Sequence, residues 1–257
     1  MASELRVAEV TEDAVLGGRL RLLQPRRGHR VGHDVILLAA ATPARAGEQI
    51  VDLGAGVGAA GLAVAARNPD VTVTLVEIDP ALAALAAENV QLNGLAARVR
   101  VVVLDATAPG RAFASAGLPA ETAMRVMMNP PFNDPARQRT SPEPARRLAH
   151  ALPPDALPHW IRTAVRLLRP RGTLTLIWRA DGVAEVLRAL EPAFGEVQVL
   201  PVHPKPAAPA IRILVRATKL SRAPLSLLPG LILNDDEGRP MPEADAVLRG
   251  HAILPLA

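Results

Sequence analysis

The chain has 257 residues, a formal charge of +4, 49% hydrophobic and 2% aromatic residues, and no tyrosine. That length accommodates one generous α/β domain with appendages, and the apolar fraction can bury a core built from Val, Leu, Ile and Ala. With no cysteine in the chain, disulfides, thiolate metal sites and a thiol nucleophile are excluded together, which fits a reducing cytoplasm.

The basic residues are almost all Arg, with Lys only at Lys205 and Lys219. A basic balance of this kind does not by itself single out nucleic acid as a partner. The longest apolar runs, such as Val35 to Ala41, are too short to span a bilayer, and Met1 leads into charged residues rather than a signal sequence. The expectation is a soluble intracellular protein, with no membrane partner and no metal, either monomeric or homodimeric.

Residues 1–45 read as a hairpin followed by a helix. Arg19 to Gln24 alternates as a strand does. The segment Gln24 to Asp34 then leads into an apolar helix from about Val35 to Ala41, with Asp34 as its candidate cap. Close to the first core strand, Arg30, His33 and Asp34 are candidates for lining a pocket, although a solvated turn explains them equally well.

Regular alternation begins at Gln49. The pattern predicts strand 49–53, helix 57–67, strand 71–77, helix 80–92 stopped by Asn93-Gly94, and strand 98–104. Strands alternating with helices imply a parallel sheet covered on both faces. Two glycine fingerprints overlap after the first strand. Gly54, Gly56 and Gly58 form G-x-G-x-G, whereas Gly56, Gly58 and Gly61 form G-x-G-x-x-G with Glu77 about 20 residues on, as in dinucleotide enzymes.

Asp52 separates the two readings. A carboxylate two residues before the turn would repel a pyrophosphate but attract the ammonium and sulfonium of S-adenosylmethionine. Gly54 and Gly56 let the backbone approach that cofactor closely. Glu77 is placed to accept from the ribose hydroxyls and Asp105, after the third strand, from the adenine amino group. Leu53, Ala55, Ile78 and Ala106 flank these positions and complete the expected cofactor contacts. A nicotinamide oxidoreductase remains open through the second fingerprint.

A small-residue loop, 106–121, leads to a strand near Met124 to Met128 and then to Asn129-Pro130-Pro131-Phe132. Proline fixes φ and drives the preceding residue to extended geometry, so this tetrapeptide is a rigid stub. The Asn129 side-chain oxygen and the Pro130 carbonyl can accept from both N–H bonds of one planar amino group, while Phe132 offers a face for stacking. Methylation makes the nitrogen cationic, so its proton then leaves readily, and the task is orientation for in-line transfer. Asn129 also counts among the cofactor contacts.

These residues resemble a known family. The glycine motif with Asn129-Pro-Pro-Phe looks like a class I S-adenosylmethionine-dependent methyltransferase acting on an exocyclic or amide nitrogen. The leading segment, with Gln24-Pro, Gly28-His-Arg, Gly32-His-Asp34 and Leu37-Leu-Ala, is similar to that of the bacterial tRNA1(Val) adenine-37 N6-methyltransferases. The resemblance runs from about Leu20 to Ile232. It implies a Rossmann-like seven-stranded, mostly parallel sheet with helices on both faces and an antiparallel edge hairpin. It also implies S-adenosylmethionine as cofactor and an RNA substrate, a tRNA. Phe132 stands where many members have Tyr, and the Phe form also occurs in ribosomal RNA guanine N2 methyltransferases. A protein glutamine N5-methyltransferase is a further alternative, although only about forty-five residues precede the first core strand here; a non-catalytic RNA-binding protein of the same fold is a remoter one.

Arg137, Arg139, Arg146, Arg147 and His150 follow the tetrapeptide in a proline-broken loop and can grip phosphates; a solvated Arg-rich loop is the plain alternative. Helix 155–168, the link Arg169 to Gly172, strand 173–178, helix 181–191, strand 195–201 and a last strand at 210–217 complete the core. Lys205 and Arg212 extend the basic surface. The expected organisation is 1–45 covering the cofactor site, 46–219 as methyltransferase core, and 220–257 as an appendage packed on it, helical only near Pro242 to Arg249.

Overall fold

The structure is a computed structural model describing residues 10–26, 30–131 and 156–256. An antiparallel hairpin of β1 (Val10–Val15) and β2 (Leu20–Pro25) precedes α1 (His33–Ala41). Strands and helices then alternate through β3 (Gln49–Leu53), α2 (Ala59–Arg67), β4 (Thr72–Glu77), α3 (Pro80–Leu92), β5 (Val99–Val103), α4 (Gly110–Ser115) and β6 (Ala123–Met128). The described chain resumes with α5 (Ala156–Leu167), β7 (Leu168–Arg179), α6 (Val183–Leu190), β8 (Phe194–His203) and β9 (Arg212–Lys219). It closes with the two-residue strands β10 (Ser226–Leu227) and β11 (Leu231–Ile232) and with α7 (Pro242–Leu248).

Seven long strands lie in the order β5-β4-β3-β6-β7-β9-β8, with β10 and β11 added beside β8. Within this sheet β9 alone is reversed, pairing antiparallel with both β7 and β8. The expected parallel sheet with an antiparallel pair near its edge is thus present, widened by two short strands that the tail contributes. None of the described helices is long and apolar enough to cross a membrane.

Alternation along each strand divides the core. Ile50, Val73, Leu75 and Met127 face the cluster built with Leu37 of α1, Leu62 of α2, Val90 of α3 and Val247 of α7. Val51, Leu53, Val76, Val126 and Met128 face the other cluster, with Phe113 of α4, Leu157 and Trp160 of α5 and Val186 of α6. Both sheet faces are therefore covered, as parallel strands with near-continuous apolar runs require. Each fully buried Leu or Val contributes about 1.5–3 kcal/mol.

The hairpin docks through two amides of α3. Asn89 Nδ2 donates to Leu23 O at 2.9 Å while Asn89 Oδ1 accepts from Leu23 N at 2.6 Å, and Asn93 repeats the pattern with the carbonyl and N–H of Arg21. Spaced by one helical turn, the two side chains stand in for a neighbouring strand. Helix α3 itself begins where Asp79 accepts from the N–H groups of Ala81 and Leu82, with Pro80 as its first residue.

Three expectations are corrected. The loop expected over 106–121 contains α4, which forms because Phe113 is fully buried against the second cluster. Strand β7 begins at Leu168 rather than 173: a bulge opposite Ala123 and Arg125 takes up the extra residues, and Arg171 adopts φ +66 within it. Asp34 does not cap α1. Gly32 holds the cap position without a side-chain bond, and Asp34 instead pairs at 2.9 Å with Arg212, anchoring the amino end of α1 to the start of β9.

Candidate active site

Register assembles the site. Leu53 pairs with Met128 on one side and Val76 on the other, and Glu77 pairs with Val103. The residues that follow, Asn129, Gly54, Ile78 and Asp105, therefore leave one edge of the sheet from four adjacent strands spaced about 4.8 Å apart. The chain runs outward from β3 to β5 and returns at β6, so the strand order reverses between β3 and β6. In open α/β sheets the ligand crevice lies at such a switch point, here between the Gly54 turn and Asn129.

The turn is held by its backbone. Gly54 N and Ala55 N both donate to Val76 O, at 2.8 and 3.0 Å. Glu77 Oε2 accepts from Gly56 N at 2.7 Å and its other oxygen from Asp79 N at 2.9 Å, so part of the carboxylate's accepting capacity braces the turn. Asn89 Nδ2 reaches the Val57 carbonyl at 3.0 Å, which ties the turn to the hairpin as well. The glycines differ in what surrounds them. A Cβ on Gly61 would overlap Leu75, and one on Gly58 would lie 2.8 Å from it, so those two serve helix packing. Gly56, at φ +57, has nothing within 4 Å of that position and presents bare backbone to the crevice.

Asp52 lies beneath the turn, 2% exposed, with Oδ2 accepting from Gly61 N at 3.0 Å. Burial pushes its carboxyl up to about 7; the nearby Glu77 adds to the rise, and the Gly61 N–H opposes it. Ile78 is 60% exposed beside Glu77, an apolar side chain left uncovered at the crevice rim. Asp105 Oδ1 accepts from Thr107 N and Thr107 Oγ1, which fixes the carboxylate after β5. Leu53 and Ala106 are buried and Ala55 is half-buried. Asn129 is half-buried after β6, with Pro130 buried behind it.

The other candidates are more dispersed. Arg30 is committed to the hairpin, donating to Asp13 Oδ2 at 2.8 Å and Thr11 Oγ1 at 3.1 Å, while His33 is exposed at the start of α1. Arg212 is engaged with Asp34, and Lys205 donates to the Asp236 carbonyl. Phe132, Arg137, Arg139, Arg146, Arg147 and His150 lie outside the described residues, as does Gly28-His29 of the leading segment. Sequence reasoning missed Asn89 and Trp160. Asn89 carries a signal in its one-turn spacing from Asn93; Trp160 carries none beyond being one of two tryptophans.

Two cavities lie away from this edge. One of about 290 Å³ at the amino ends of the strands is lined by Gln49, Thr72, Arg98 and Arg100. The other, about 680 Å³, separates α5 from α6 and is lined by Ile161, Arg162, Val165 and Arg188. Among the described residues no cluster of His, Asp or Glu has the arrangement of a metal site.

The family model described as methyltransferase small domain matches residues 30–205. The chain is similar to the release factor glutamine methyltransferase of Chlorobaculum tepidum, 32% identical over 157 residues, covering 59% of this chain and 52% of that one. It is equally similar to the tRNA1(Val) (adenine(37)-N6)-methyltransferase of Tolumonas auensis, 32% identical over 176 residues, covering 67% and 68%. Among solved structures, an Agrobacterium tumefaciens protein described as a predicted O-methyltransferase superposes with a TM-score of 0.72 at 35% identity, covering 86% of this chain and 98% of that one. The chain spans about half the length of the glutamine methyltransferase that it matches.

Proposed function

Since the chain belongs to the methyltransferase small domain family and is an S-adenosylmethionine-dependent methyltransferase, we propose that it methylates an exocyclic amino nitrogen, adenine N6 in a tRNA, in the cytoplasm. The observation that carries this reading is the register of β3 with β6, which sets Asn129 beside the Gly54 turn across one pair of strands. The residues fit the cofactor: Gly56 presents bare backbone with open space beside it, and Asp52 a buried carboxyl beneath the same turn. When bound, S-adenosylmethionine supplies an electrophilic methyl group on a positively charged sulfur.

In this reading Gly54 and Gly56 hold the cofactor with Asp52 and Glu77, Ile78 covers its base and Asp105 accepts from the base's amino group. Residues 1–45 cover that site and 220–257 pack on the 46–219 core. On the acceptor side, Asn129 Oδ1 and the Pro130 carbonyl accept from the two N–H bonds of the target and hold its lone pair toward the methyl group. Nothing stronger than an amide is needed, because the proton lost is that of a methylated, cationic nitrogen. Orientation is the contribution, and small displacements of the acceptor are expensive in rate.

The test is mass spectrometry of modified nucleosides and, in parallel, of digested proteins, after incubating the protein and labelled methyl donor with bulk tRNA or rRNA, or with total protein, from a strain lacking it. Label in N6-methyladenosine of tRNA is the expected result. Label in N2-methylguanosine, or in a protein glutamine as the C. tepidum relative's name suggests, would replace the acceptor and leave the chemistry standing. Asn129→Ala is expected to slow transfer about a hundredfold or more, well beyond any loss of cofactor affinity. Outside the described residues, reversing the charge of Arg146 and Arg147 is expected to weaken RNA binding and flatten its salt dependence; an unchanged slope would assign them to solubility.

A further inference from the structure

Trp160 belongs to no motif, yet it meets the cofactor turn directly. Gly54 has φ +71, and a Cβ built on it would overlap Trp160 Cη2 and lie 2.8 Å from Cζ3. The benzo ring of the indole therefore lies against the Gly54 Cα. Trp160 is 6% exposed and shares its cluster with Leu53, Met128 and Ala106, the residues that end β3 and β6 and open the turn after β5.

We propose that Trp160 is a positioning residue of the methyltransferase site, the floor that sets the height of the Gly54–Gly56 backbone relative to Asn129. This role rests on the glycine turn being the cofactor's seat. The turn is otherwise held from the side of β4, by the bonds of Gly54 and Ala55 to Val76 O, and from α3, by Asn89 on Val57 O. Trp160 supplies the support from the opposite face of the sheet, where α5 packs. Dispersion falls steeply with distance, and close-packed interiors transmit displacement, so a smaller side chain lets the turn settle rather than leaving it in place.

Calorimetry with S-adenosylhomocysteine tests this. Leu157, 1% exposed in the same helix and cluster, supplies the comparison. Trp160→Leu is expected to raise the Kd about tenfold, the equivalent of a modest contact loss. Leu157→Ala is expected to keep the Kd within about twofold despite a similar loss of thermal stability from its core cavity, and Trp160→Phe to recover most of the affinity. Equal changes in Kd for the Trp160 and Leu157 variants would reduce Trp160 to core filling and overturn the proposal. Gly56→Ala separates this from the assignment of the seat. If it weakens binding and Trp160→Leu does not, only the role of Trp160 fails; if Gly56→Ala leaves Kd unchanged, both fail. A measurement that leaves Trp160 intact is also available. The chain has two tryptophans, so Trp178→Phe makes Trp160 the sole indole emitter, and its emission is expected to change saturably with S-adenosylhomocysteine. Constant emission while calorimetry registers binding would overturn the proposal as well.

Discussion

At the amino edge of the sheet, Arg125 of β6 meets Glu48 with N–O distances of 2.6 and 3.0 Å and also donates to Thr173. Lys219 is held by Glu121 and the Leu168 carbonyl, and Arg100 by Thr74 and the carbonyls of Ala116 and Gly117. At the carboxyl edge of the same strands, Gly56 faces open space, Ile78 stands 60% exposed, and Asp52 carries a carboxyl lifted by burial to about 7. The charged groups of one edge are satisfied within the protein; those of the other are braced by backbone N–H groups and keep capacity for a ligand. One edge stabilises the fold and the other is the one to which we assign the chemistry, and the difference can be broken at either end.

The largest expected effect is at the amino edge. Arg125→Met leaves Glu48 11% exposed without its partner and is expected to lower stability by about 3–5 kcal/mol with activity per folded molecule unchanged. Adding Glu48→Leu is expected to restore most of it, since a pair removed together is often neutral; urea denaturation measures both. Next comes Asn89→Ala, which leaves Leu23 N, Leu23 O and Val57 O without their amide partner and is expected to remove about 3 kcal/mol. That loss should appear partly as weaker S-adenosylhomocysteine binding, because Asn89 also touches the turn; a purely thermal effect would confine it to docking the hairpin.

The glycines sharpen the comparison within the carboxyl edge itself. Gly61→Ala meets Leu75 and Val73 side chains and is expected to lose about 1–3 kcal/mol of stability through overpacking. Gly56→Ala meets nothing, so its expected cost is the roughly 1–2 kcal/mol of left-handed backbone, with the greater damage in cofactor affinity.

Smallest per step, reckoned per unit of pH, is the effect of Asp52. Its carboxyl sits near the ordinary 3.8 when unfolded and at about 7 when folded, so between those values the folded state holds a proton that the unfolded state has lost. This contribution to stability is complete below the unfolded value and disappears as pH rises through about 7, with a slope of at most ~1.4 kcal/mol per pH unit. Asp52→Asn is expected to flatten that slope in denaturation midpoints. S-adenosylmethionine favours the ionised form, so its affinity is expected to climb through the same window in the parent protein and not in the variant.

Much of this was legible in the residues. The alternation of β-branched runs with alanine-rich helices specified the parallel sheet, because a strand buried on both faces has to be apolar throughout. The helix 80–92 was bounded by Asp79, Pro80 and Asn93-Gly94 and forms over those residues, because caps and stops act locally. Glycine spacing marked the turn for the same reason. Asp34 reads as a cap but pairs with Arg212, 178 residues away, and sequence distance hides such a partner. Strand β7 begins ahead of its apolar run because a bulge depends on what lies opposite.

By itself, the sequence determined which segments form strands and helices, where the chain turns, and the family to which it belongs, since these follow from short-range periodicity, caps and motifs. Only the tertiary structure decided that Asn129 and Gly54 leave adjacent strands at one edge, that Asp52 is buried under the turn, and that Trp160 and Asn89 support the turn from two sides. Those facts depend on strand order and register, which join residues far apart in the chain through packing and backbone hydrogen bonds.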